Sequence, residues 1–218
     1  MRLFKLLFLL GPLTVAACQV VDPEYVGDPD TELAAILDEM LADQAPHDGE
    51  RARLAVLVYR QAARHPTHVP TLMASAALAM EDNKPMRAET VLSRILSLDP
   101  THAEARMLRA RIAVQDGNLG LASELVQEGI DYRPDESRLH ETAAWILYLG
   151  EHFDEAHSAL DRAVRLDAPA WRVDFHRGLI EEGRGKNQAA LRHYRACLRE
   201  RPDYEPAKIR RLGLEAAM

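Results

Sequence analysis

The sequence predicts an all-α fold: an α-solenoid of about five helix pairs closed by a C-terminal capping helix. Three features of residues 31–218 predict it: proline at intervals of 34 residues, small residues at two fixed places in each interval, and glycine or asparagine between those places. No segment shows the alternation of apolar and polar residues that indicates a strand. The proline positions are Pro66, Pro100, Pro134 and Pro202, and the skipped position holds Ala168 beside Pro169.

Two columns of residues with a spacing of 34, all of them small except Leu54, mark where paired helices approach closely. The first column holds Ala42, Ala76, Ala110, Ala144 and Gly178, and the second holds Leu54, Ala88, Ala122, Ala156 and Ala190. Between the columns, the turn positions hold Gly49, Asn83, Gly117, Glu151 and Gly185. Glycine and asparagine suit a helix end because the left-handed conformation costs them little. Proline ends the second helix because it has no N–H and restricts the residue before it.

This period and these residues resemble the tetratricopeptide repeat (TPR), whose pattern is W-x2-L-G-x2-Y, then A-x3-F, then P. The resemblance covers roughly residues 35–204 and implies two antiparallel helices in each repeat. The A-x3-apolar element reads Ala88/Leu92, Ala122/Val126, Ala156/Leu160 and Ala190/Tyr194. The tryptophan column instead holds Leu72, Arg106, His140 and Asp174, so the packing of each first helix stays open.

The helices follow in order from residue 31. Thr31 is the predicted N-cap of a first helix, and residues 51–64 form its partner. Further helices are predicted at 69–82, 86–98, 103–116, 119–132, 137–149, 153–166, 171–184 and 187–200. The last helix, at 207–217, is predicted to cover the end of the stack with Ile209, Leu212 and Leu214.

Residues 1–17 form a predicted secretory signal peptide, too short to span a membrane. Arg2 and Lys5 precede an apolar stretch, and small residues come before Cys18. The segment 15–18, Val-Ala-Ala-Cys, resembles a bacterial lipobox, although Val15 stands where leucine is commonest. The resemblance implies that Cys18 is lipidated and becomes the new N-terminus, and that residues 18–30 are the lipidated cysteine and a tether. Gln19 implies sorting to the outer membrane, on its periplasmic face. The alternative is an ordinary signal peptide with a chance cysteine.

Composition and motifs narrow the class of function. The formal charge of −7 gives no basic footprint for nucleic acid. The sequence has no H-E-x-x-H, no G-x-x-x-x-G-K-[ST] and no G-x-S-x-G. We therefore expect a protein that is not an enzyme, with no cofactor, no metal and no small-molecule substrate.

The resemblance places the first helix of each pair on the concave face, so residues there are candidates to bind a protein or peptide partner. Methionine and aromatic side chains suit an amphipathic helix or an extended apolar peptide. The alternative is that these side chains only pack the repeats. The candidates are Met73, Met80, Met107, Arg111, Val114, Trp145, Tyr148 and Phe175.

The sequence thus predicts a lipid-anchored periplasmic scaffold that holds another protein. Lipoproteins similar to it support the assembly of secretins and of pilus or secretion machinery. Two alternatives remain open, an adaptor for cell-wall hydrolases and a permanent structural subunit of an envelope complex.

Overall fold

The structure, a computed structural model, describes residues 27–42 and 48–217. Every regular element in this part of the chain is an α-helix, which confirms the predicted all-α solenoid. The helices are α1 (Pro29–Ala42), α2 (Asp48–Arg64), α3 (Val69–Glu81), α4 (Pro85–Leu98), α5 (Ala103–Gln115), α6 (Leu119–Tyr132), α7 (Ser137–Leu149), α8 (Phe153–Arg165), α9 (Ala170–Gly183), α10 (Asn187–Glu200) and α11 (Glu205–Ala216).

The helices pack as successive pairs, and the small residues lie where the partners cross. Each of α3, α5, α7 and α9 packs most extensively on the even-numbered helix that follows it. The small columns are buried in the described repeats: Ala76, Ala88, Ala110, Ala122, Ala144, Ala156, Gly178 and Ala190. Burial of side chains no larger than a methyl group lets helix backbones approach closely, as the 34-residue period predicts.

The turns inside the pairs use the left-handed conformation at the predicted positions of the last four repeats. Asn83, Gly117, Glu151 and Gly185 have φ values of 55°, 75°, 62° and 73°. Glu151 adopts this conformation despite its side chain, with Gly150 one residue before it. The prediction for Gly49 was wrong, because Gly49 lies in the first turn of α2.

The start of α1 differs from the prediction that Thr31 caps it. The helix begins at Pro29, and the carboxylate of Asp28 accepts hydrogen bonds from the backbone N–H and the hydroxyl of Thr31, at 3.1 and 2.5 Å. Asp28 therefore caps the helix, since an aspartate before the first helical residue satisfies a free N–H. Residues 29 and 30, predicted as the end of the tether, belong to α1.

The capping helix α11 packs with different residues from those predicted. Ala207 and Leu214 are buried, whereas Ile209 is 66% and Leu212 is 55% exposed. Leu214 therefore covers the end of the stack as predicted, but the prediction for Ile209 and Leu212 was wrong. Leu212 lies 34 residues after Gly178, in the small column, and no helix follows α11 in the described chain to cover it.

Two polar side chains in the tryptophan column bind the turn that precedes them. Nε and Nη2 of Arg106 donate to the carbonyl oxygen of Pro100 at 3.1 and 3.0 Å. Nε2 of His140 lies 3.0 Å from the carbonyl oxygen of Pro134. Both side chains are buried, at 6% and 8% exposure. In α5 and α7, hydrogen bonds from these side chains therefore hold the helix to the turn before it. The family pattern has a tryptophan at these positions.

The predicted signal peptide, Cys18 and the tether up to residue 26 lie outside the described residues, so the predictions about them stand as predictions. Within residues 27–42 and 48–217, no helix combines the length and the apolar character needed to cross a membrane.

Candidate functional site

The concave side of the solenoid is formed by the odd-numbered helices. α1 packs on α3, α5 on α7 and α7 on α9, whereas the even-numbered helices mainly contact the odd helices that flank them. Because the odd helices lie nearer to one another, the stack curves with these helices on its inner side. On each of α3, α5, α7 and α9, three residues at positions i, i+4 and i+7 lie on one side of the helix. We call these residues the groove face: Met73, Ala77, Met80, Met107, Arg111, Val114, Glu141, Trp145, Tyr148, Phe175, Leu179 and Glu182.

On α3, the groove-face methionines take part in the core. Met73 and Met80 are half-buried and pack against a buried cluster that includes Leu72 and Leu92. Ala77, between them, is exposed. Each methionine thus offers only part of its surface to a ligand.

On α5, the predicted residues fall into three different environments. Met107 is only 9% exposed and packs with Ala103 and Leu139, so it belongs mostly to the core. Val114 is half-buried, and Arg111 is exposed. Of these three candidates, Arg111 offers its polar group directly to solvent.

On α7 and α9, the aromatic candidates are half-buried. Trp145 packs against the buried cluster that also contacts Val114. Tyr148 packs against the cluster of its own repeat and against that of the following repeat. Phe175 makes an edge-to-face contact with Tyr204, with ring centroids 5.0 Å apart. These rings are fixed by packing on one side and remain partly exposed on the other.

An ion pair that the sequence analysis missed joins Glu141, a groove-face residue on α7, to Arg172 on α9. Nη2 of Arg172 donates to Oε1 of Glu141 at 2.9 Å, and the Glu141 side chain is only 6% exposed. Burial raises the pKa of Glu141 above its ordinary value, and the Arg172 guanidinium opposes that rise. Glu141 and Arg172 are 31 residues apart in sequence, so the columns with a spacing of 34 residues did not bring them together.

Next to this pair, His176 is held without a charge. Nδ1 of His176 is buried and has no hydrogen-bond partner. Burial, with help from the nearby Arg172 charge, lowers the pKa of His176 to about 4. At neutral pH the ring is therefore uncharged. The described residues contain no cluster of three His, Cys, Asp or Glu side chains placed to hold a metal ion.

The sequence matches a family model described as tetratricopeptide repeat over residues 72–137 and 141–205, together more than half of the chain. The chain belongs to the tetratricopeptide repeat family. Proteins of this family are generally non-enzymatic scaffolds that bind peptide or protein partners in a groove, and no catalytic family is indicated. No curated protein matches the sequence.

Solved TPR structures share the fold at low sequence identity. A thermophilic TPR protein from Thermus thermophilus is 15% identical, with a TM-score of 0.72 over 87% of this chain and 100% of that one. MamA from Desulfovibrio magneticus RS-1 is 18% identical, with a TM-score of 0.58 over 82% and 98%. YrrB, a TPR protein with an unusual peptide-binding site, is 13% identical, with a TM-score of 0.52 over 81% and 87%.

Proposed function

We propose that this TPR protein is a lipid-anchored scaffold at the periplasmic face of the outer membrane. Its groove would bind another protein and support the assembly of an envelope complex such as a secretin, pilus or secretion machine. The observation that carries the binding part is the groove face, which includes the half-buried Trp145, Tyr148 and Phe175 and the exposed Arg111.

The chemistry of this face favours a peptide segment as ligand. Rings already fixed by packing lose little conformational freedom when a ligand covers them. Methionine side chains at the other end of the groove adapt to ligands of different shape. The peptide-binding site named for YrrB, a structure with the same fold, supports this mode of binding. An amphipathic helix or an extended apolar segment fits both properties.

The anchor rests on the sequence. Cys18 follows Val15, Ala16 and Ala17 at the end of the apolar leader, which resembles a lipobox. Each buried methylene of an attached acyl chain contributes about 0.8 kcal/mol, so more than one chain gives stable attachment. Labelling with a radioactive fatty acid tests this part. The label should enter the wild-type chain and be absent from Cys18→Ser. Label that persists in the variant would contradict the lipobox assignment.

Affinity capture from detergent-solubilised envelopes, with the lipidated protein as bait, tests the binding part. Trp145→Ala should lose the captured partner because an aromatic anchor contributes about 2 kcal/mol or more at a hot spot. Val164→Ala is the matched control, since Val164 is 44% exposed on α8, outside the groove face, and should leave capture intact. Circular dichroism melts of both variants establish that the fold is retained. A partner retained by Trp145→Ala would place the interaction on another surface.

A further inference from the structure

A cavity of about 650 Å³ opens on the outer side of the solenoid, between the even-numbered helices α2 and α4. Residues of α3 form its floor, and no groove-face residue lines it. We call it the outer cavity, and the residues that define it here are Tyr59, Leu72, Arg87, Val91, Arg94 and Leu98. The outer cavity is therefore a separate surface from the groove face.

Small or short side chains on the floor leave this space open. The floor residues of α3 are Leu72 and Ser75, and 34 residues later α5 carries Arg106 and Arg109 in their place. These two arginines form ion pairs with carboxylates of α6 and α4, respectively. Long side chains thus bridge the equivalent space in the next repeat. Two repeats after the outer cavity, the corresponding cavity beside α6 has a volume of only about 110 Å³.

One side of α4 presents cationic and apolar side chains to the cavity in alternation. At positions i, i+4, i+7 and i+11 these are Arg87, Val91, Arg94 and Leu98. The guanidinium of Arg87 lies 3.6 Å from the centroid of the Tyr59 ring, and Nε of Arg94 donates to the carbonyl oxygen of Pro66 at 2.5 Å. Both guanidinium groups are therefore held in place before a ligand binds, which reduces the entropy that binding costs.

No later even-numbered helix in the described chain repeats this alternation. The equivalent residues are Leu121, Leu125, Glu128 and Tyr132 for α6, Glu155, Ala159, Arg162 and Leu166 for α8, and Ala189, His193, Ala196 and Glu200 for α10. The open floor and the two arginines therefore occur together only beside α4 among these helices.

From this geometry we infer that the outer cavity binds an amphipathic helix of a partner protein, with acidic residues two turns apart and apolar residues between them. Arg87 and Arg94 are separated by seven residues, or about 10.5 Å along the axis of α4. A helix that lies along α4 has the same rise, so Asp or Glu at i and i+7 meets both arginines. Apolar side chains at i+3 and i+4 then enter the cavity beside Val91. Ion pairs next to apolar surface are screened less than those at an open surface, and a guanidinium matches both carboxylate oxygens.

Selection from a phage-displayed library of helical peptides tests the inference, with positions i, i+3, i+4 and i+7 randomised and the full-length chain in detergent as the target. The wild-type chain should enrich Asp or Glu at i and i+7 and large apolar residues between them. The double variant Arg87→Glu, Arg94→Glu should instead enrich Lys or Arg at i and i+7. Arg162→Glu is the matched control, because Arg162 is exposed at the position of α8 that corresponds to Arg94. This control should select the same peptides as the wild-type chain.

Fluorescence anisotropy with one selected peptide then locates the contact. Arg94→Gln should bind it about tenfold more weakly, because a charge-assisted hydrogen bond is lost. Ala63→Trp should weaken binding by a similar factor, since Ala63 lines the cavity and an indole ring there would fill it. Ala63 is exposed on α2, so the thermal melt of this variant should stay near that of the wild type. Trp145→Ala, on the groove face, should leave the affinity unchanged.

Three outcomes would overturn the inference. The first is a set of selected peptides without paired acidic residues, or with affinities that neither Arg94→Gln nor Ala63→Trp reduces. The second is a set of peptides that depend on Trp145, which would place the contact on the groove face and leave the function proposed for that face intact. The third is a dimer in analytical ultracentrifugation that Arg94→Glu dissociates, because the occupant would then be a second copy of this chain.

Discussion

Gly178→Ala should destabilise the fifth repeat because Tyr194 occupies the space that a methyl group needs. A Cβ atom at residue 178 would lie 2.4 Å from Cε1 and 2.6 Å from Cδ1 of Tyr194. Carbon atoms in contact are normally about 3.5–4.0 Å apart, so one of the two groups must move by roughly 1 Å. The ring has little freedom, since it is 0% exposed and its hydroxyl donates to Glu182 at 2.5 Å.

The size of the effect follows from two opposing contributions. Overpacking of a filled core costs about 1–3 kcal/mol, and alanine gains about 1 kcal/mol over glycine in helix propensity. The difference is a net loss of about 0–2 kcal/mol, and we expect the upper end, about 2 kcal/mol, because the contact is so short. For a chain of this size, that loss lowers the melting midpoint by roughly 4–8 °C. Urea unfolding followed by circular dichroism gives the free energy directly.

Two further variants separate this clash from other effects of the substitution. Gly213→Ala is the matched control, because no heavy atom lies within 4 Å of a Cβ atom at that position in α11, and it should stabilise by about 0.5–1 kcal/mol. Tyr194→Leu restores the residue type found at Leu92 and Leu160 in the matching positions of other repeats. In that background Gly178→Ala should cost little, which gives a coupling energy of about 1–3 kcal/mol. Equal costs in both backgrounds would refute the proposed steric contact.

Three other predictions follow from individual residues. Glu151→Gly should raise the free energy of unfolding by about 1 kcal/mol, since φ is 62° at Glu151 and glycine adopts that conformation without strain; a lowered urea midpoint would argue against strain there. Ala156→Leu should lower the free energy of unfolding by about 1–3 kcal/mol, because Ala156 is 0% exposed between α7 and α8. An unchanged thermal melt would mean that α7 and α8 do not cross at this residue. His176 has a folded pKa of about 4, below its ordinary value of 6.5, so the unfolded chain binds the proton first and stability is lost as pH falls from about 6.5 towards 4. Between pH 7 and pH 4.5, the free energy of unfolding should fall by roughly 2 kcal/mol more for the wild type than for His176→Gln. An equal fall in both proteins would place the ring in water.

The period of 34 residues was sufficient to predict most helices to within one or two residues. Proline and positive-φ residues act locally, so their spacing fixes where each helix ends without knowledge of what it packs against. The first pair was less regular, and there the predictions for Thr31 and Gly49 were wrong. At Thr31 a competing cap, Asp28, stood three residues earlier, and sequence alone gave no reason to prefer it.

The candidate site was predicted as a set of positions but not as a surface. Register placed Met107 and Arg111 on the same helix face, and only the packing of α5 on α7 buries the first and leaves the second exposed. The ion pair between Glu141 and Arg172 was missed for a related reason. Ion pairs between repeats depend on side-chain reach and on the angle between helices, which a column of aligned residues does not contain.

The sequence by itself determined the repeat, the helix pairs and the place of the small residues, because these depend on backbone preferences and on a fixed period. Tertiary structure alone decided how each large residue uses the space beside a small one. Gly178 belongs to a column of alanines, yet its lack of a Cβ atom is required by Tyr194 on the next helix. Burial, charge pairing and pKa shifts depend on such contacts between helices, and local sequence patterns carry no information about them.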